Sequence, residues 1–351
     1  MTLRTPTVLL LLVLALGGLA ACGEREEPAV AGAPRAEPLR LVLDYFPNAD
    51  HAGIYAAQAR GDFSRAGLDV QIIAPSDPSA PLKLVQAGRA DLAISYEPEL
   101  FLARDKGAEL VAVGAIAQAP LTSLISLPAA RIRGPEDLAG KTVGTAGIPY
   151  QSAYLRTILK EAGVDPAGVR EVNLGFNLVP GLLSRKVDAV LGAFWNYEGV
   201  QLERERRRPQ IIRMEEVGVP TYDELVLVAA EQTLNERGAL VRRFLRALQD
   251  GTRAVRADPA AGVDPLLEAN QELDRGLQTA VVRRTLPVFF PQDPERPFGW
   301  MEDAEWEAYG TWMLRNGLLE RQPTREALTN EFLPGEGVLP VEEQPGRQGG
   351  G

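Results

Sequence analysis

Short aliphatic runs alternate along the chain with stretches in which apolar residues recur every three or four positions. Aliphatic or β-branched runs between turn signals are typical of strands, and their alternation with helical patterns indicates parallel α/β units. The first series of predicted strands covers residues 39–46, 68–74, 91–96 and 110–116. The helices predicted between these strands cover residues 51–66, 81–88 and 98–106.

A second series of the same kind follows, and the last third of the chain becomes mainly helical. The strands predicted in this series cover residues 123–127, 142–145, 171–174, 189–193, 211–215 and 225–230. Its predicted helices cover residues 151–162, 178–185 and 195–207. The helices predicted beyond them cover residues 236–258, 263–270, 276–285 and 303–316. This helical tail is expected to pack back on the first unit.

The order of these elements predicts two α/β lobes, the second inserted into the first. Lobe 1 is expected to hold residues 39–120 and 226–333, and lobe 2 residues 121–225, with the chain crossing near residues 118–123 and 219–225. Ligands of α/β sheets collect at the carboxyl ends of strands and at domain interfaces. The sequence therefore predicts a ligand cleft between the lobes.

The N-terminus carries the pattern of a bacterial lipoprotein signal. A basic start precedes the apolar run 8–19, which is shorter than the roughly 20 apolar residues that cross a membrane. Small residues then precede Cys22, the only cysteine. Residues 1–22 therefore predict a cleaved signal, lipidation of Cys22 and an extracytoplasmic protein that the lipid anchors to a membrane. The alternative is an ordinary signal peptide with an incidental cysteine. Residues 23–38, rich in Ala, Pro, Gly and charge, predict a flexible tether, and residues 334–351 a disordered tail.

Charge and the scarcity of cysteine and histidine exclude several functions. The net charge of −10, from 47 acidic and 37 basic residues, argues against a general nucleic-acid binder, which must neutralise phosphates. The basic run 203–208 suits a solvated helix end better than a phosphate site. One cysteine and one histidine, His51, leave no disulfide and no cysteine-rich or multi-histidine metal site. The sequence predicts no metal and no cofactor.

The segment 43–55 joins the first predicted strand to the first helix and concentrates side chains suited to a heteroaromatic ring. Tyr45 offers an aromatic face, and Asn48 can donate and accept hydrogen bonds together. Asp50 has a simpler explanation as a helix cap. For His51, a structural or capping role and contact with a ligand both stay open, because a neutral imidazole serves either use.

Two other predicted strand ends, at residues 94–99 and 191–199, also place aromatic rings and carboxylates where a cleft would lie. The candidate ligand-binding residues there are Tyr96, Glu97, Trp195, Asn196 and Glu198. A carboxylate such as Glu198 only accepts hydrogen bonds, which suits an amino group or a protonated ring nitrogen, and Trp195 supplies a π face. The alternative is that these residues are helix N-terminal acids and core aromatics.

At these residues the chain resembles the substrate-binding lipoproteins of ABC importers, in the branch that binds thiamine pyrimidine precursors. The segments that carry the resemblance are residues 43–55, 75–84, 90–99, 192–198 and 222–225. The resemblance spans nearly all of residues 39–333 and implies a type II periplasmic-binding-protein fold. It also implies capture of formylaminopyrimidine or hydroxymethylpyrimidine and delivery to a permease and its ATPase, without catalysis. A cleft that opens and closes in this way works as a monomer.

Hinge closure is the mechanism that follows from this resemblance. Tyr45 and Trp195 are expected to stack on the two faces of the ring, while Asn48 and Glu198 form hydrogen bonds with its amine and ring nitrogens. Relatives often have tryptophan at the position of Tyr45, so a stacking ring is kept. Tyr222 is also placed among the ligand-binding residues, although whether Tyr222 or Tyr150 closes over the ring stays open.

An alternative from a different class is the fungal enzyme that makes the pyrimidine phosphate, which resembles the same fold. That enzyme uses a cofactor-binding lysine in the stretch that matches residues 91–97, where this chain has Ser95. Serine forms no Schiff base with pyridoxal phosphate. The enzyme also carries a cysteine cluster in the stretch that matches residues 220–227, where this chain has none.

Another alternative keeps the importer and changes the cargo to a sulfonate, nitrate or a riboflavin-like molecule. An anionic cargo calls for basic residues near the cleft. The predicted strand ends offer acidic residues instead, namely Asp44, Glu97, Glu99 and Glu198. This composition disfavours an anion.

Overall fold

Two five-stranded sheets organise the protein, whose computed structural model describes residues 36–335. The strands are β1 Glu37–Val42, β2 Leu68–Ile73, β3 Leu92–Ser95, β4 Leu110–Ala117, β5 Thr122–Ser126, β6 Thr142–Thr145, β7 Arg170–Asn173, β8 Ala189–Phe194, β9 Gln210–Arg213 and β10 Leu225–Ala230. Every strand predicted from the aliphatic runs is present. The largest difference is at β1, which ends at Val42 rather than at residue 46 and so leaves Leu43 to Phe46 to the loop that follows.

Helices cover both sheets at the places that the periodicity predicts. They are α1 Ala52–Ala59, α2 Asp62–Arg65, α3 Pro81–Gln86, α4 Glu97–Asp105, α5 Pro149–Glu161, α6 Leu178–Leu183, α7 Glu198–Arg204, α8 Glu231–Ala257, α9 Ala260–Ala269, α10 Arg275–Thr285 and α11 Asp303–Arg315. The single helix predicted over residues 51–66 is two helices, because Gly61 takes a left-handed conformation with φ 72° between them. The helix predicted to begin at Trp195 begins at Glu198, after a turn.

The sheets are mixed, which corrects the prediction of purely parallel units. The first sheet has the order β2-β1-β3-β10-β4, and the second the order β7-β6-β8-β5-β9. In the described residues, β10 in the first sheet and β5 in the second run opposite to the other four strands of their sheets. Each is the first strand after the chain crosses to the other lobe. Both strands therefore begin at the edge of the sheet where a neighbouring strand ends. Thr122 at the start of β5 pairs with Phe194 at the end of β8, and Leu225 at the start of β10 pairs with Ala117 at the end of β4.

Several predictions concern the ends of the chain. β1 begins at Glu37, so the last two residues of the predicted tether belong to the first sheet. Cys22, the predicted signal 1–22 and nearly all of the predicted tail lie outside the described residues. Among residues 36–335, no helix has both the length and the apolar character needed to cross a membrane.

Close packing of α1 on α8 fixes the loop that precedes α1. Glycine allows this approach, since a Cβ on Gly251 would lie 2.4 Å from the carbonyl oxygen of Gly53 and 2.6 Å from the backbone nitrogen of Ala57. Real Cβ atoms do not come so close, and interiors are packed too densely to give way. The residues between β1 and α1 are therefore held on a rigid support.

A buried carboxylate ties the two chain crossings together. Glu224, with no exposed surface, accepts hydrogen bonds from the backbone N–H groups of Leu121 and Thr122, each at 2.8 Å. The hydroxyls of Thr122, Tyr222 and Tyr150 donate to the same carboxylate at 2.9, 2.8 and 3.3 Å. Burial raises the pKa of Glu224, and these donors oppose the rise. Glu224 therefore joins the first crossing, the second crossing and α5.

Candidate ligand-binding cleft

A small cavity lies between the lobes, where the loops after β1, β3, β6 and β8 meet. Lobe 1 lines it with Asp44, Tyr45, Asn48, Asp50 and Tyr96. Lobe 2 lines it with Ala146, Ile148, Gln151, Gly192, Phe194, Tyr197 and Glu198. The cavity volume is about 20 Å³, room for about one water molecule. Its position is the one that the strand ends predict.

Asp44 is held in the cavity wall by two hydrogen bonds. The hydroxyl of Tyr96 donates to Oδ2 at 2.8 Å, and Nε2 of His51 lies 2.8 Å from Oδ1. The backbone N–H of Asn48 donates to Nδ1 of His51 at 3.2 Å, so that nitrogen carries no proton and Nε2–H is the donor to Asp44. His51 is thus a neutral imidazole that positions Asp44. It does not line the cavity itself, and direct contact with a ligand stays a prediction for it.

Asn48 shapes the loop on which Tyr45 and Asp44 lie. Its Oδ1 accepts from the backbone N–H of Asp50 at 2.8 Å, and its Nδ2 donates to the carbonyl oxygen of Phe46 at 3.0 Å. An amide offers two donor hydrogens and two acceptor lone pairs, so one of each is left for a ligand. Asn48 lines the cavity as predicted, with a local structural role that the sequence did not reveal.

Two further carboxyl groups in the wall have raised pKa values. Burial raises the pKa of Glu198 to about 7, although the N–H of Phe194 donates to its Oε2 at 2.7 Å. Burial likewise raises the pKa of Asp50 to about 7, against the lowering effect of its hydrogen bonds with Asn196 and Thr285. Near neutral pH each group exchanges readily between the carboxylate, which accepts hydrogen bonds, and the acid, which also donates one.

The electrostatic character of the cavity is acidic throughout. Asp44, Asp50 and Glu198 lie in its wall, and none of the described residues that line it is a lysine, arginine or histidine. Within residues 36–335, no group of three or more His, Asp or Glu side chains is arranged to hold a metal ion. The wall therefore suits a ligand that donates hydrogen bonds or carries positive charge.

Aromatic rings form the other walls, and the rings that line the cavity differ in part from the predicted pair Tyr45 and Trp195. Trp195 does not line the cavity. Its indole N–H donates to the carbonyl oxygen of Pro120 at 2.9 Å, and the guanidinium of Arg213 lies 4.1 Å from its ring centre. The backbone of Trp195 also continues the pairing with the first crossing, which draws the ring against that crossing. Phe194 and Tyr197 supply the lobe 2 rings in its place.

Tyr45 faces a ring from the other lobe. Its ring centre lies 4.6 Å from that of Phe176 at an interplanar angle of 80°, an edge-to-face contact. Phe176 follows β7, while Tyr45 follows β1, so this contact joins the two lobes. The contact therefore places a ring of lobe 2 directly against Tyr45.

Tyr222 and Tyr150 lie behind the cavity wall, and contact of Tyr222 with a ligand stays a prediction. Both rings are fully buried and their hydroxyls bind Glu224. Neither lines the cavity, although the ring centre of Tyr150 lies 5.3 Å from that of Tyr96, which does. Their place is in the packing around the chain crossings.

Asn196 is also buried behind the wall, where it joins the lobes. Its Nδ2 donates to Oδ1 of Asp50 and to Oγ1 of Thr285, both at 2.7 Å. Beside it, Nε2 of Gln278 donates to the hydroxyl of Tyr197 at 3.1 Å. Asn196 therefore positions Asp50 rather than lining the cavity, and these bonds hold lobe 2 against α10.

Gln151 and Gly192 line the cavity and were not predicted. Oε1 of Gln151 accepts from the backbone N–H of Ala146 at 2.8 Å. Gly192 has φ 97°, and a Cβ there would lie 2.2 Å from Nε2 of Gln151, so only glycine leaves room for this amide. An isolated glycine in a strand pattern signals such a close approach. That signal was present at Gly192.

A family model described as NMT1/THI5 like matches residues 48–262, a span that includes both chain crossings and most of the cavity lining. The chain belongs to this NMT1/THI5-like family. It is 33% identical over 292 residues to the formylaminopyrimidine-binding protein of Halalkalibacterium halodurans, covering 83% of this chain and 88% of that protein. It is 34% identical over 286 residues to a putative thiamine biosynthesis protein of Haemophilus influenzae, with coverage of 81% and 89%.

The chain is also similar to enzymes, at lower identity. The 4-amino-5-hydroxymethyl-2-methylpyrimidine phosphate synthase of Legionella pneumophila is 26% identical over 298 residues, covering 84% of this chain and 92% of that enzyme. Both kinds of relative thus match more than four fifths of this chain.

Solved structures show the fold of this NMT1/THI5-like chain. A Candida albicans gene product described as having the generic periplasmic binding protein fold superposes with a TM-score of 0.62 at 14% identity, covering 86% of this chain and 98% of that one. The alkanesulfonate-binding protein SsuA from Xanthomonas axonopodis pv. citri superposes with a TM-score of 0.63 at 19% identity, covering 85% and 99%. The predicted periplasmic-binding-protein fold of two α/β lobes is confirmed.

Proposed function

We propose that this protein captures a thiamine-precursor aminopyrimidine in the cleft between its lobes and delivers it to an ABC permease. The observation that carries the proposal is a cavity walled by aromatic rings and by three carboxyl groups, Asp44, Asp50 and Glu198, with no cationic side chain in its described lining. The formylaminopyrimidine-binding relative supports the choice of ligand class.

The chemistry of an aminopyrimidine complements this wall. Its exocyclic amine donates two hydrogen bonds, and a neighbouring ring nitrogen either accepts one or, when protonated, donates one. Glu198, with a pKa of about 7, pairs with either form, because the carboxylate accepts from the protonated edge and the acid donates to the neutral edge. The rings of Tyr45, Phe194 and Tyr197 offer faces for stacking, which contributes roughly 1–3 kcal/mol per base in comparable sites.

Opening of the lobes admits the ring in this proposal. Tyr45 and Phe176 belong to different lobes, so separation of the lobes parts their edge-to-face contact. Closure on the ligand then reforms the bonds from Asn196 to Asp50 and from Gln278 to Tyr197. A ligand that contacts both lobes favours the closed state by its extra affinity for that state.

The same wall argues against the alternatives. A sulfonate or nitrate would face three carboxyl groups with no guanidinium or ammonium among the described lining residues, and burial of such like charges is unfavourable. A synthase that uses pyridoxal phosphate requires a lysine, whereas Ser95 ends β3 and no lysine lines the cavity in the described residues. We therefore assign the protein a binding role rather than a catalytic one.

The proposal includes the setting in which the protein works. The lipoprotein pattern at Cys22 supports a lipid-anchored, extracytoplasmic protein, and the periplasmic-binding-protein fold supports a permease with an ATPase as its partners. Capture in one cleft between two lobes needs only a monomer.

Calorimetric titration of the purified protein tests this function. The ligands are formylaminopyrimidine, hydroxymethylpyrimidine, thiamine, riboflavin, taurine and nitrate. We expect saturable one-to-one binding of a pyrimidine precursor and no binding of taurine or nitrate, because the acidic wall repels anions. Binding of riboflavin or an anion, with no response to either pyrimidine, would contradict the proposal.

A further inference from the structure

The hydroxyl of Tyr45 is a buried polar group in the cavity wall that has no partner. Among the described residues, none forms a hydrogen bond with this oxygen, although Tyr45 lines the cavity. Buried side-chain hydroxyls are nearly always paired, and leaving one unpaired is unfavourable because its lost hydration is not replaced. Such a group in a binding cavity indicates a bond that the ligand completes.

The surroundings of this hydroxyl define its role as a donor. Burial, and then the nearby acids Glu198 and Asp44, raise the pKa of Tyr45 far above its usual value, so the oxygen keeps its proton. The other ionisable groups of the wall are the carboxyl groups of Asp44, Asp50 and Glu198, which accept hydrogen bonds in their ionised form. The Tyr45 hydroxyl, in contrast, keeps a proton to donate near neutral pH.

We infer that the Tyr45 hydroxyl donates a hydrogen bond to an oxygen on the side arm of the ligand, so that this residue favours pyrimidines whose arm carries such an acceptor over those whose arm ends in an ammonium. The inference rests on the proposed function and adds the group that distinguishes one precursor from another. The carboxyl groups form hydrogen bonds with the amine edge of the ring, and the Tyr45 hydroxyl donates one to the arm. A pyrimidine whose arm ends in a free ammonium offers no acceptor and leaves the hydroxyl unpaired, which lowers its affinity.

The substitution Tyr45→Phe tests this role, because it keeps the ring and removes only the hydroxyl. We expect the affinity for formylaminopyrimidine to fall roughly five- to tenfold, the effect of one hydrogen bond. The affinity for the aminomethyl analogue, which lacks the carbonyl, should stay within about twofold. Calorimetric titration of both ligands measures the two effects. Tyr55→Phe is the matched control, since Tyr55 is a buried tyrosine of α1 that does not line the cavity.

Thermal unfolding gives a second readout that separates binding from folding. Tyr45→Phe removes an unpaired polar atom, so the midpoint of the ligand-free protein should not fall, while the increase caused by formylaminopyrimidine should shrink. Equal affinities of the variant and the natural protein for formylaminopyrimidine would overturn the inference, as would an equal loss for both ligands. If the natural protein binds neither pyrimidine, the proposed function fails together with the inference.

Discussion

Glu198→Gln is expected to lower the affinity for the aminopyrimidine by more than tenfold. A glutamine has nearly the same shape and can still accept the N–H of Phe194, now 2.7 Å from the carboxylate. Its other end presents an NH₂ group to the cavity, so the amine of the ligand meets a donor instead of an acceptor. A hydrogen bond to a charged group contributes about 1.5–3 kcal/mol, which corresponds to roughly a 10- to 150-fold change in Kd. Calorimetric titration of the natural protein and of Glu198→Gln measures this change in Kd.

Glu205→Gln provides the control for this change. Glu205 is exposed at the end of α7, the helix that begins at Glu198, so its substitution removes the same charge from the same helix outside the cavity. Its affinity should equal that of the natural protein. An unchanged affinity in Glu198→Gln, with the fold intact by circular dichroism, would remove Glu198 from the binding site.

Glu224→Ala is expected to give the largest loss of stability, about 3 kcal/mol or more in the free energy of unfolding. The change leaves the N–H groups of Leu121 and Thr122 buried without an acceptor, and each unpaired group is unfavourable by roughly 1–3 kcal/mol. The hydroxyls of Tyr222 and Tyr150 lose the same partner. Urea unfolding, monitored by fluorescence, measures the difference in the free energy of unfolding between Glu224→Ala and the natural protein.

Glu224→Gln should lose much less stability than Glu224→Ala. The glutamine oxygen can still accept the two backbone N–H groups, and the hydroxyls of Thr122 and Tyr150 can rotate to accept from its NH₂ group. Glu236→Ala, at an exposed position of α8, should change stability by no more than about 0.5 kcal/mol. Equal stability of Glu224→Ala and Glu236→Ala would show that Glu224 does not tie the crossings together.

The strands and helices were predictable because local patterns determine them. The aliphatic runs of β4 and β10 are almost entirely buried, and no other element suits such short runs between turn signals. Strand direction was not predictable in the same way. β5 and β10 are reversed because of where the chain enters each sheet, and this is a property of the crossing rather than of the strand's own residues.

The cleft itself was predictable only in part. Asp44, Tyr45, Tyr96 and Glu198 follow strands, and the rule that ligands collect at strand ends brings them together correctly. Trp195 directly follows β8, yet its side chain lies in different surroundings from that of Phe194, because its indole N–H donates to the carbonyl oxygen of Pro120.

Roles that depend on partners far along the chain could not be foreseen. Asn196 binds Asp50 and Thr285, which lie 146 and 89 residues away in sequence. His51 has its partners only 3 and 7 residues away, yet its tautomer follows from the backbone N–H of Asn48, which only the folded loop places beside Nδ1. Sequence identifies such residues as unusual, and geometry decides whether they contact a ligand or position another residue.

A crystal structure of the complex with formylaminopyrimidine tests the central claim most directly. The account predicts the ring between Tyr45 and the lobe 2 aromatics Phe194 and Tyr197, with its amine within hydrogen-bond distance of Glu198 and its carbonyl oxygen near the Tyr45 hydroxyl. It also predicts Phe176 displaced from its contact with Tyr45. A ligand bound outside this cleft, or one whose amine contacts none of Asp44, Asp50 and Glu198, would contradict it.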